Sequence, residues 1–466
     1  MPTPLSALET ARAIARRETT ALEVTVAALE RAELVGPEVG AFVHLAHERA
    51  LTQAARLDAL PELAAGSPLR GVPCPIKDLT MVRGLPFQAG SAAIDAEPAP
   101  VDDGVVTLLA QAGTVMLGKT TTPEFGLPCY TEPDVAPAAR TPWDLGRSAG
   151  GSSGGAAAAV AAGIVPIAHG SDGGGSIRIP ASVCGLVGLK PSRGRVSPGP
   201  HGVDGVALAS HGVLTCTVAD TAAALDVLAQ SWPGDAYRLA PESFLGTLEQ
   251  PPGPLRIGLL LEPSNVDTEV HPACRRAAEQ AGRTLEDLGH HVAPAPRPYP
   301  SERWRAFIAL WSVMALSAPV PAEREHQLRP LTRWLRETGR RVAGLEHAEA
   351  LAETQRLTRD VALAWRDFDV ILTPTLAQPP ALVGQLRHDE DPEQDFWDQT
   401  RFTPWTSTAN LTGRPSISLP LHREQVDGVE LPIGVMLTGT LGDDARLLRL
   451  ARQLEQAVGW PAVPQP

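Results

Sequence analysis

Lysine is nearly missing from this chain: only Lys77, Lys119 and Lys190 accompany the 37 arginines among its 40 basic residues. A coding bias toward arginine thins lysine everywhere, so the scarcity by itself is uninformative. The placement of the survivors is not. Arginine replaces lysine at solvated sites but holds its proton, whereas a desolvated lysine can release it. The three lysines are therefore candidates for acid–base work.

Other absences exclude whole classes. The longest useful apolar window, residues 156–168, spans 13 residues, short of the roughly 20 that a bilayer needs. The N-terminal stretch lacks the ~7–15-residue apolar core of a secretory signal. A soluble, cytoplasmic protein with no membrane partner is expected. No run of five or more Lys/Arg occurs and the formal net charge is -13, which argues against broad phosphate contact, so no nucleic acid is expected as a partner. Five cysteines with no CxxC pair do not form a disulfide framework and read as buried thiols. Twelve histidines include no HExxH, so neither metal nor cofactor is expected. GxGxxG is absent as well, and no lysine follows the glycines of 146–176 as a phosphate loop there would require.

What is present begins with helical patterning over 5–33 and 42–60, broken by VGPEVG, and continues with short apolar runs bounded by Gly and Pro. Strands are expected in 71–79, 113–120, 163–170, 185–191, 254–262, 369–375, 415–421 and 432–439. Helices are expected over 105–112, 218–230, 274–289, 347–365 and 443–458. Buried strands alternating with helices predict one α/β domain around a largely parallel sheet covered on both faces. A tryptophan-bearing stretch at about 300–345 breaks the rhythm and is expected to form an accessory helical layer or lid.

Residues 146–176 hold ten glycines and five serines around an Ala/Val run, a backbone suited to close approach. Ser152 and Ser153, inside GGSSGG and directly before AAAAVAA, are placed to cap a helix; capping explains one hydroxyl and leaves the row of small residues unexplained. Ser176 ends a run of three glycines whose N–H groups can converge on an oxygen. That pattern fits a nucleophile beside an oxyanion hole, a tight turn or an anion-binding nest. Lys77, in the apolar run PCPIKDL, reads as a base whose pKa burial lowers and Asp78 could raise, or as an ion pair at a strand end. His169, His201 and His211 are the nearby histidines, and Lys119 and Lys190 read as strand-end charges.

Together, GGSSGGAAAAVAAGIVPIAHGSDGGGSIRIPASVCGLVGLKPSRG (150–194), GVPCPIKDL, AGTVMLGKTTTPEFG (112–126), RTPWDLGRSAGG and NLTGRPSISLP (410–420) resemble the amidase signature family, the serine–cis-serine–lysine amidases. The resemblance implies a single α/β domain with a central twisted mixed β-sheet covered by helices on both faces. It divides the chain into an N-terminal helical segment (1–62), the signature domain (63–458) and a tail (459–466). It also implies Ser176 as nucleophile, Ser152 as a bridging serine on a cis peptide bond and Lys77 as base, with the N–H groups of Gly173, Gly174, Gly175 and Ser176 as oxyanion donors. Ser153, Asp172 and Arg178 would support them. The chain departs from the pattern at Gly173, where most relatives carry Thr, Ile or Ala. The pocket is expected near 125–135, 300–345 and Trp405, with Cys129, Trp405 and Asn410 as candidates. The implied reaction is cleavage of a small or medium carboxamide, linear amides first, with water as co-substrate, in a monomer or homodimer. Alternatives are a tRNA-dependent amidotransferase A subunit, hydrolysis of linear or cyclic 6-aminohexanoate oligomers, and a noncatalytic binding protein that keeps the glycine nest.

Overall fold

The computed structural model describes residues 5–460 apart from residue 204; the expected tail lies, beyond Trp460, outside the described residues. The stretch 5–33 is two helices, Ala7–Ala15 and Ala21–Leu34, because each starts at its own capping box, Ser6 with Glu9 and Thr20 with Glu23. Asp220 accepts from the N–H groups of Ala7 and Leu8 at 3.0 and 2.9 Å, anchoring the first helix by its positive end. Residues 42–60 begin as the strand Phe42–Leu45 and become helical over His47–Ala59.

The main sheet has eight strands. In spatial order they are His291–Pro294, Arg256–Leu259, Val370–Pro374, Val429–Thr438, Ser416–Val426, Val187–Lys190, Ser210–Thr215 and Ile167–Asp172. Helices Arg178–Cys184, Val218–Leu228, Pro272–Asp287 and Asp444–Val458 pack against it. The expected largely parallel sheet is corrected: only the pairings of Arg256–Leu259 with its two neighbours are parallel, and the other five are antiparallel. One cause was readable. Asp427 and Gly428, at φ 53° and 83°, form the kind of two-residue turn that joins an antiparallel hairpin.

A smaller sheet orders Phe42–Leu45, Gly118–Thr120 and Ile76–Lys77, and it carries Lys77 and Lys119. Between the sheets runs the helix Gly154–Ala161, every residue of which is buried. Its alanines keep it thin, as a helix enclosed on all sides must be. The close approach foreseen for GGSSGG is to the chain's own backbone. A Cβ on Gly155 would lie 2.4 Å from Thr121 N and 2.6 Å from Ala41 O, and one on Gly151 2.8 Å from Tyr130 N.

Candidate active site

Lys77 Nζ lies 2.7 Å from Ser152 Oγ, 2.9 Å from Ser153 Oγ, and 3.2 and 3.3 Å from Ser171 Oγ and O. Gly151–Ser152 is a cis peptide. The two serines differ in what they can give. Ser153 donates its proton to Ser171 O at 3.2 Å and accepts from Ser171 N–H at 3.3 Å, so toward Lys77 it acts as an acceptor. Ser152 has no such commitment among the described residues, and its hydroxyl is the one free to pass a proton to a neutral Lys77. Neither serine side chain caps the following helix, contrary to the capping expectation; Lys77 and Ser171 hold the hydroxyls instead.

Lys77 is fully buried, and no carboxylate among the described residues is bonded to it. Asp78, expected as a possible partner, forms a buried ion pair with Lys119 at 2.5 Å. Burial pulls the Lys77 pKa down to about 7, against the attraction of Asp172. His169 and His211 are occupied with each other, Nε2 to Nδ1 at 3.1 Å, and burial pushes both below the ordinary histidine range. Lys190, at the end of its strand, is buried and donates to Pro191 O at 2.6 Å.

Ser176 is 7% exposed. Its carbonyl accepts from Ser153 N–H at 3.2 Å, tying the two serine loops together. Asp172 governs the turn before it. Its carboxylate receives Arg178 Nε and Nη2, both at 2.9 Å, and the N–H groups of Gly175 at 2.8 Å and Ile177 at 3.2 Å. Gly175 is thereby removed from the expected oxyanion donors, since its N–H points at Asp172. Gly173, Gly174 and Ser176 remain with backbone N–H groups not engaged in this way. Gly175 itself sits at φ +135°, with Thr406 Oγ1 2.7 Å from where a Cβ would be, so glycine is required there.

Two pocket expectations are corrected. Asn410 is buried behind Ser176, donating to Asp172 Oδ1 at 2.9 Å and accepting from Arg178 Nη2 at 2.7 Å. Trp405 turns away and donates to Glu262 O at 2.9 Å. Burial pushes the Asp172 carboxyl upward, but Arg178 and Asn410 outweigh it and hold it well below the usual range. Replacing Arg178 by methionine should cost about 3–5 kcal/mol, because Asp172 would stay buried without its counter-charge. Urea unfolding measures this, and a loss under about 1 kcal/mol would contradict the assignment.

The cavity beside Ser176 is walled by Leu127 and Cys129, by Trp304, Phe307, Trp311, Leu331 and Leu335 of the 300–345 segment, and by Phe396, Gln399, Thr400, Thr403 and Ser407. A Cβ on Gly173 would rest 3.4 Å from the Trp311 ring, so the missing side chain leaves space on the cavity side. Sequence reasoning missed Ser171 and the wall at 396–400, whereas Thr403 and Ser407 fall in the region expected near Trp405. Alternation along Ile167–Asp172 could have found Ser171, since it opposes Asp172 across the strand; the helix Pro392–Phe402 carried no such signal.

The family model Amidase matches residues 23–448, so the chain belongs to the amidase family. It is a hydrolase of the amidase signature type, acting on carbon–nitrogen bonds. It is 36% identical to a putative amidase of Synechocystis over 97% of this chain and 88% of that protein. It is also 36% identical to the 6-aminohexanoate-cyclic-dimer hydrolase of Paenarthrobacter ureafaciens, over 95% of this chain and 92% of that one. A solved 6-aminohexanoate cyclic dimer hydrolase in complex with substrate superposes with a TM-score of 0.89 at 32% identity, covering 99% of this chain and 98% of that chain. Among the described residues, no helix is long and apolar enough to cross a membrane, and no His/Cys/Asp/Glu group suits a metal ion.

Proposed function

We propose that the chain hydrolyses uncharged amides with extended apolar portions, the cyclic dimer of 6-aminohexanoate among them, through an acyl-enzyme on Ser176. The observation that carries this reading is the wall of the cavity, which is aromatic and aliphatic with a few neutral polar groups and no charged side chain. Bringing an ammonium or a carboxylate against such a wall is costly when nothing pairs it. A cyclic diamide has no ionised ends, whereas a linear oligomer has one of each, and so does free glutamine, the usual ammonia donor of an amidotransferase. The similarity to cyclic-dimer hydrolases supports the same choice and turns the expectation away from small linear carboxamides.

In the proposed mechanism neutral Lys77 accepts a proton from Ser152 as Ser152 takes the proton of Ser176, and Ser176 Oγ attacks the amide carbonyl. The N–H groups of Gly173, Gly174 and Ser176 receive the developing oxyanion. The proton returns along the same path to the departing nitrogen, the C–N bond breaks, and an ester on Ser176 remains. Water, deprotonated by the same relay, then cleaves that ester and restores the serine. With a cyclic dimer the amine leaves within the same molecule, and the product is the linear dimer.

The test offers the cyclic dimer, the linear dimer and hexanamide to the enzyme and follows products by mass spectrometry, with Ser176→Ala as control. Cleavage of the cyclic dimer at least about tenfold faster than the linear one is expected, a discrimination of the size that an unpaired charge in an apolar site produces. Preference for the linear, doubly charged substrate would overturn the reading.

A further inference from the structure

One hydroxyl in the cavity wall has an unspent proton. Ser407, in the helix Thr406–Thr412, lines the cavity and is 5% exposed. Its Oγ accepts from Asn265 Nδ2 at 2.9 Å and from Trp304 Nε1 at 2.8 Å. The indole can only donate. The Asn265 amide has its nitrogen toward Ser407 and its Oδ1 toward the hydroxyls of Tyr299 at 2.8 Å and Thr408 at 2.9 Å, which are themselves hydrogen-bonded to each other at 2.7 Å. A serine hydroxyl has two acceptor positions and one hydrogen. With both positions filled, Ser407 has only its hydrogen left to offer, and no acceptor among the described residues takes it. The neighbouring wall hydroxyls differ: Thr400 donates to Phe396 O and Thr403 to Gln399 O, each at 2.9 Å. A buried donor without a partner is destabilising unless a ligand or water completes it.

We propose that Ser407 is a substrate-binding residue that donates a hydrogen bond to a carbonyl oxygen other than that of the scissile amide. The substrate class is thereby an apolar ring or chain carrying a second carbonyl group. This rests on the hydrolase reading above and adds to it a requirement at a second point of the cavity wall. Ser407 is fixed as a donor, so it selects for a carbonyl or ether oxygen and against an ammonium at that place.

Binding and turnover separate the two claims. Affinities are measured by calorimetry in the Ser176→Ala protein, which holds substrate without cleaving it. The ligands are the cyclic dimer and the lactam of equal ring size with two methylenes in place of the second amide. The dimer should bind about 3- to 10-fold more tightly, the range of a neutral hydrogen bond. Adding Ser407→Ala should bring the two affinities within about twofold, and Ser407→Thr, which keeps the hydroxyl, should retain the preference. If Ser407→Ala only disturbs the packing of Trp304 and Asn265, both ligands weaken together and the preference survives, which overturns the proposal. So does equal binding in the parent, or no binding of either ligand. Failure of the hydrolase reading would show separately, as dimer binding without turnover by the enzyme that retains Ser176.

Discussion

Lys77→Met should lower kcat/KM by about 10³-fold or more while leaving the circular dichroism spectrum unchanged. The variant keeps the stem of the side chain in its buried slot and removes the amine that lies 2.7 Å from Ser152 Oγ, its one hydrogen-bond partner among the described residues. Lys77→Arg should fare no better, because a guanidinium does not release its proton at working pH. The pH dependence follows from the sign of the shift. Burial lowers the Lys77 pKa from 10.5 to about 7; below pH 7 the ammonium predominates and cannot act as a base, and above it the neutral amine does. Activity should therefore rise through about pH 7 and level off near pH 8, where roughly nine-tenths of the amine is neutral; an unshifted lysine would be almost wholly charged there. Lys190 is also lowered to about 7, by burial and by Arg178, so the rise alone does not single out Lys77. A residual activity in Lys77→Met that still climbs through pH 7 would remove Lys77 from the relay.

Ser176→Ala should lose roughly 10⁴-fold or more in kcat, since no neighbouring group can replace the covalent step. A sulfonyl fluoride separates this from a loss of folding. Such a reagent should label the parent enzyme at Ser176, leave the alanine variant unlabelled and leave the Lys77→Met variant labelled only slowly. Peptide mapping by mass spectrometry reads the site. Attachment to Ser152 or Ser153 instead would transfer the nucleophile to that serine and invert the roles proposed for the two loops.

Much of this centre was legible in the chain because its parts are short and local. DGGGS presents a serine beside free amides, GGSSGG presents two hydroxyls, and PCPIKDL buries a lysine. Other parts were misread for equally physical reasons. The serines of GGSSGG look like helix caps in isolation, and they become ligands of Lys77 only because a strand from far upstream ends against them. Asp78 looks like the partner of its neighbour Lys77, but the strand ends at Lys77 and the turn that follows carries the Asp78 carboxylate to Lys119 instead. Asn410 looked like pocket and is structure, because Asp172, Arg178 and the carbonyl of Leu208 occupy its amide.

The sequence by itself determined the family and the α/β class and singled out the segments that carry Lys77, Ser152 and Ser176, since these depend on residues grouped within short segments. The tertiary structure decided which protons can move and what can bind. Ser152 is distinguished from Ser153 by the commitment of the latter to Ser171, Gly175 is withdrawn from the oxyanion donors by Asp172, and an uncharged wall is assembled from segments near 127, 304–335 and 396–407. Hydrogen-bond capacity and pocket polarity are properties of neighbours in space, and the residues that set them here lie up to hundreds of positions apart in the chain.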